Sequence, residues 1–190
     1  MTASPDNWQE GDLCFDFSSA ETVIKLDSAA HGLSHLKMKA VDFVVEWPDQ
    51  FWLIEVKDPE DTTIPPEYQS QQKQYFSDNL QSGRLIAEHL FPKFRDSLLY
   101  LGMDRGIPAK PMHYLVLICL SSLDPLQLKG LADSLYKTEW LPGSKRGWSK
   151  HFSVMAFNLA QWNQALPCCP VSRIGIVAGA KASTGEQGDT

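Results

Sequence analysis

No C-x-x-C pair occurs in this chain, and its four cysteines, Cys14, Cys119, Cys168 and Cys169, have no histidine at zinc-ligand spacing. That excludes a zinc ribbon or finger and gives no disulfide framework. Cys168 and Cys169 are neighbours, too close for an ordinary cross-link, and Cys119 lies in an apolar run where a free thiol behaves as a small hydrophobe. A reduced, cytoplasmic protein is expected. Long hydrophobic runs are also missing. The longest, Tyr114 to Leu120, is far below membrane-spanning length, and Met1 to Glu10 lacks the basic-then-apolar order of a secretion signal. Basic residues are outnumbered, 17 Lys and Arg against 23 Asp and Glu, for a formal charge of −6. This excludes a protein that coats nucleic acid non-specifically, since that mode relies on Lys and Arg replacing counterions. No internal repeat is present.

The composition is that of a packed globular chain: 43% apolar, 21% charged, with six Trp and nine Phe to fill a core. At 190 residues it suits one domain better than two. Residues 1–11 read as a loose leader, 12–177 as a single domain, and the Gly-, Ser- and Thr-rich 178–190 as a disordered tail. Leu13–Phe17 and Thr22–Leu26 read as short strands, and Ala29–Lys39 as a loop or short helix. Ala40–Glu46 and Phe51–Lys57 are strands bracketing Trp47-Pro48-Asp49-Gln50. A helix over Glu67–Leu80 follows, broken at Gly83 and Pro92 and resumed over Lys93–Leu101. Met112–Leu120 is a buried strand. Asp124-Pro125 starts a helix by cap and N1 proline, Phe152–Phe157 is a strand, and Asn158 caps a helix to Leu166. Strands first, then alternating helices and strands, predict a mixed β-sheet flanked by helices, in the α/β or α+β class.

The chemistry sits in one predicted hairpin. Folding the chain between Pro48 and Asp49 pairs residues whose numbers sum to 97, which sets Asp42 opposite Glu55. Facing residues share one side of the sheet with Cβ atoms roughly 5 Å apart, and Lys57, two residues on, shares that side. Val41, Phe43 and Val45 are expected to meet Trp52, Ile54 and Val56 on the other, apolar side. Two opposed carboxylates repel. A divalent cation turns that repulsion into coordination, and Mg²⁺ commonly uses one or two protein carboxylates with substrate phosphate.

Asp42-x12-Glu55-Val56-Lys57 resembles the PD-(D/E)xK, restriction-endonuclease-like nuclease superfamily. The resemblance spans roughly residues 40 to 120. It implies that Asp42, Glu55 and the Val56 carbonyl hold Mg²⁺ or Mn²⁺, with Lys57 in the catalytic position. Gln71-x-x-x-Tyr75, on one face of the following helix, resembles the Gln-x-x-x-Tyr element of RecB-type domains, where those side chains face the active site and DNA. The implied function is hydrolysis of nucleic-acid phosphodiesters, DNA first, with a protein partner or a homo-oligomer available to supply a basic groove. Two features depart from the pattern. Val41 stands where proline is usual, and no acid-bearing helix precedes the hairpin; Asp16, Glu21 and Asp27 are the candidates for a further acid. Lys93 and Arg95 are expected near the cleft as phosphate contacts. The competing reading is an inactive nuclease-like scaffold serving as an interaction subunit, with Lys57 merely bridging Asp42 and Glu55.

Overall fold

A computed structural model of the protein describes residues 8–139 and 141–174. The architecture is a mixed α/β fold with two sheets. Short strands β1 (Gln9–Glu10), β2 (Leu13–Phe15) and β3 (Thr22–Lys25) lead to the hairpin β4 (Phe43–Glu46) and β5 (Phe51–Lys57). Helix α1 (Pro66–Gln81), a π-helical turn over Leu85–Leu90 and α2 (Phe91–Asp104) connect β5 to β6 (Met112–Ile118). Then come α3 (Pro125–Tyr136), β7 (Phe152–Phe157), α4 (Leu159–Ala165) and β8 (Val171–Arg173). The large sheet runs β3-β4-β5-β6-β7 and the small one β1-β2-β8. β3, β4 and β5 pair antiparallel in that order, whereas β5, β6 and β7 are parallel and reached by helical crossovers.

Both faces of the large sheet are covered, which is why β5 and β6 read as almost unbroken apolar runs. One face carries Val44, Leu53, Tyr114 and Val116 against Phe76, Leu90, Phe94 and Leu101 of the helices. The other carries Phe43, Val45, Trp52, Ile54 and Leu115 against Leu13, Phe15 and Val171 of the small sheet and Trp162 of α4. Trp162 is fully buried, and its Nε1 donates to the Cys169 carbonyl at 2.8 Å.

Four sequence expectations need correction. Gln9–Glu10, placed in the loose leader, forms β1 and pairs with Cys14 and Leu13; residues 1–7 and the expected tail 178–190 lie outside the described residues. The turn between β1 and β2 uses Gly11 at φ +58°, where any side chain would also collide with the Asp61 carboxylate. Pro92 does not break the helix. It sits in the first turn of α2, where its missing N–H costs little, and the π-helical turn leads straight into it. Val171–Arg173 adds a strand that had no sequence signal. Finally, Val41 packs with the helix-side core, not with Phe43 and Val45. Its N–H donates to Ser97 Oγ of α2 at 2.9 Å, and the strand ladder begins only at Phe43.

The helix starts follow local chemistry. Asp124 Oδ1 accepts from the N–H groups of Leu126 and Gln127 at 2.8 and 2.9 Å, while Gln127 Oε1 accepts from the Asp124 N–H at 3.0 Å. This is a reciprocal capping box. Asp124→Ala is expected to lower unfolding free energy by about 1 kcal/mol, read as a shifted denaturant midpoint with an unchanged slope. A change under a few tenths would mean that water replaces the cap.

Candidate metal centre

The hairpin register is the one expected: Phe43 faces Ile54, Val44 faces Leu53, Val45 faces Trp52 and Glu46 faces Phe51. The four-residue loop is closed by the Trp47 N–H donating to the Gln50 carbonyl at 2.9 Å. Continuing that register by one residue brings Asp42 beside Glu55. The two are 3% and 0% exposed. Asp42 Oδ2 accepts from the Val56 N–H at 2.6 Å, which ties the carboxylate across the end of the β4–β5 ladder. The Lys57 carbonyl accepts from Cys119 on the β6 side at 2.9 Å. By strand alternation the Val56 N–H and carbonyl therefore both leave on the Asp42 side. Asp42, Glu55 and the Val56 carbonyl thus share one corner of the sheet.

Two ammonium groups neutralise this corner. Lys57 Nζ lies 2.6 Å from Glu55 Oε1. Lys93 Nζ, from α2, lies 2.7 Å from the same oxygen and 3.1 Å from Asp42 Oδ1, bridging the two acids. Lys93 is placed by the docking of α2 on the segment before β4. Ser97, one turn on, holds the Val41 N–H, and Asp96 Oδ2 accepts from the Lys39 N–H at 3.0 Å. Glu55 Oε2 is buried and has no hydrogen-bond partner among the described residues. Burial, and then repulsion from Asp42, push the Glu55 carboxyl up to about 7 against the pull of Lys57 and Lys93. Burial alone would lower the Lys93 ammonium, but Glu55 and Asp42 outweigh it and hold it above the ordinary lysine value.

A second acidic group meets the first at Asp42. One carboxylate oxygen each from Glu10, Asp27 and Asp42 lie within 4.8 Å of one another, a set that can hold a metal ion. Asp42 is buried, Glu10 half-buried and Asp27 exposed on the surface. Desolvation of its carboxyl group, with Asp42 and Glu10 nearby, pushes Asp27 up to about 6. Glu10 is held by Lys25 at 2.9 Å. Asp27 was among the candidates for a further acid, but Asp16 and Glu21 are not in the group. Glu10 was missed because it lay in a segment with no readable periodicity.

Lys57 also forms the wall of a cleft of about 270 Å³ with Asp58, Gln72, Tyr75 and His89. Tyr75 is there and 55% exposed. Gln71 is exposed on α1 and is not part of the wall; Gln72, the next residue, takes that place. Burial, with Lys57 and Lys39 close by, keeps His89 below its ordinary value. Larger depressions sit at the other end of the strands, around Phe51 and Met112, and hold none of these acids. Arg95 pairs with Asp96 at 2.7 Å and lies over the Phe91 ring, so the expected phosphate contact at Arg95 is already committed elsewhere. Lys93 likewise faces carboxylates.

Comparison with known proteins returns nothing: no family model matches the chain, and no curated protein or solved structure matches it. Among the described residues, no helix is long and apolar enough to cross a membrane.

Proposed function

We propose that this chain is a metal-dependent nuclease that hydrolyses phosphodiester bonds, with DNA as the first substrate to test. The observation that carries the reading is Asp42 and Glu55 side by side and buried, with Lys57 against them and Glu55 Oε2 lacking a partner among the described residues. Buried polar atoms are nearly always satisfied, and a bare carboxylate oxygen beside a second carboxylate suits a hard cation. Asp42, Glu55 and the Val56 carbonyl offer the all-oxygen set that Mg²⁺ or Mn²⁺ takes. When bound, such an ion supplies Lewis acidity, countering phosphate charge and acidifying water.

The chain's own groups do the rest. Lys57, at the cleft wall, is within reach of a scissile phosphate seated there and stabilises the charge that develops as water attacks phosphorus in line. Tyr75 and Gln72 offer hydrogen bonds along the same wall to a sugar–phosphate backbone. With a formal charge of −6, long-range attraction for DNA must come from a partner or a second copy.

The test is cleavage of linear, circular and single-stranded DNA with Mg²⁺ or Mn²⁺. Lys57→Ala is expected to lower the rate about 100-fold in a protein that still binds the metal. Cleavage surviving intact in that variant belongs to a contaminant or another site. A second reading has an observation of its own. Lys93 already bridges the two acids, as an inactive scaffold in a larger assembly would have it. Calorimetry separates them: a scaffold binds no Mn²⁺, and its stability does not respond to the ion.

A further inference from the structure

We propose that the Lys93 ammonium is the protein's internal counter-cation for the Asp42–Glu55 pair, and that a divalent ion enters only by displacing it. The inference rests on the metal-site reading and adds the step that admits the ion.

Charge and geometry lead to the same place. Two carboxylates and two ammonium groups share a corner in which both acids are almost fully buried, with Glu10 and Asp27 meeting Asp42 on its outer side. A divalent ion added without moving a lysine would sit within a few ångströms of two ammonium groups, a repulsion that is costly where the groups are buried. Of the two lysines, Lys93 holds the bridging position, within 3.1 Å of both acids, whereas Lys57 pairs with Glu55. An ion at ordinary oxygen-ligand distance, about 2 Å from each carboxylate, would need the space that Nζ fills. The oxygens of Glu55 are unequally used: Oε1 meets both ammonium groups, and Oε2 has no partner among the described residues. Rotation of that carboxylate toward an incoming ion therefore loosens Lys93 in the same movement.

Lys93 also has a way out. Its helix is pinned by Asp96 and Ser97, but the side chain is 21% exposed on a four-carbon stem. His89, one turn back on the same helical stretch, lines the cleft with Lys57. The displaced ammonium remains close enough to that cleft to meet an anionic ligand. Asp42, Glu55, Asp27 and Asp58 are the acids near its path; Asp27 groups with Asp42 and Glu10, and Asp58 is already claimed by Arg173 at 2.8 Å.

The experiment titrates Mn²⁺ and Mg²⁺ calorimetrically into the full chain as wild type, Lys93→Met and Lys93→Arg. In parallel, acylation of Lys93 by an amine-reactive ester is followed by peptide mass spectrometry, with the exposed Lys37 as internal reference. A competing positive charge a few ångströms away opposes the incoming ion. Mn²⁺ should therefore bind Lys93→Met about tenfold or more tighter than wild type, and Lys93→Arg no tighter. Lys93 should resist acylation in metal-free protein and become reactive as Mn²⁺ saturates. Metal binding with Lys93 still protected, and equal affinity in Lys93→Met, overturns the displacement but leaves the metal site standing. Binding by Lys93→Met alone upholds displacement and sinks the nuclease reading for the isolated chain. Binding by neither overturns both. If Lys93→Met does not fold, Lys93→Gln and the wild-type acylation profile decide the matter.

Discussion

Replacing Glu55 by glutamine is expected to abolish DNA cleavage and, in the same molecule, to flatten the pH dependence of stability. The first effect follows if Glu55 is a ligand: losing several kcal/mol of charge stabilisation in the transition state lowers the rate by about 10³-fold. The second needs no assumption about activity. The Glu55 carboxyl stands at about 7 in the fold against an ordinary 4.5. The folded state therefore holds a proton that the unfolded chain releases, and the stability this group contributes is greatest at low pH. It falls as pH rises from 4.5 toward 7, because ionising Glu55 beside Asp42 costs more in the fold than in water. The ceiling on that fall is about 3 kcal/mol for a shift of this size. Unfolding free energies of wild type and Glu55→Gln at pH 4.5, 6 and 7.5 should converge or cross as pH rises. Saturating Mn²⁺ should reverse the wild-type trend, since it favours the ionised carboxylate. Parallel profiles for the two proteins would mean that Glu55 is better solvated than its burial implies.

The part of this site that sequence exposed is the part built from strand alternation. Cross-strand pairing needs only a period of two and a loop of known length, here Phe43 with Ile54 through a turn closed by Trp47 and Gln50. Asp42, Glu55 and Lys57 follow at once. Helix phase is harder to read. The first two turns of α1 are Pro, Glu, Tyr, Gln, Ser and Lys with no apolar stripe. A rotation of about 100° per residue therefore separates Gln71 from Gln72 with nothing to choose between them. In the sequence Lys93 shows only as a basic residue, which suggests a phosphate contact. Its real partners depend on how α2 lies against Lys39–Asp42, a tertiary fact carried by Asp96 and Ser97. Val41 shows the same limit, since one hydrogen bond to Ser97 takes it out of the strand's alternation. Strands of two and three residues, such as Gln9–Glu10 and Val171–Arg173, are too short to show a period at all.

Those short strands matter because β8 carries a clamp on the end of β5, and breaking it should be strongly destabilising. Arg173 of β8 forks onto Asp58 with Nη1 and Nη2 at 2.8 and 3.0 Å, and Nη1 also reaches Asp12 Oδ1. Asp12 is 2% exposed and holds the Thr62 N–H through its other oxygen. Burial pushes the Asp58 carboxyl up even with the guanidinium beside it. Arg173→Ala would leave both acids sunk in the protein without that cation. Removing one partner of a buried ionic cluster costs about 3–5 kcal/mol, or a fall in Tm of roughly 10 °C for a chain of this size. Arg173→Lys should recover only part of that, because an ammonium cannot reproduce the two-pronged contact. Asp58 directly follows Lys57 and lines the same cleft, so the damage should reach the site: Lys57 loses its fixed position, and cleavage should fall further than the remaining folded fraction explains. A loss below about 1 kcal/mol, the range of exposed ion pairs, would show that water reaches Asp12 and Asp58 and that β8 is not what anchors the end of β5.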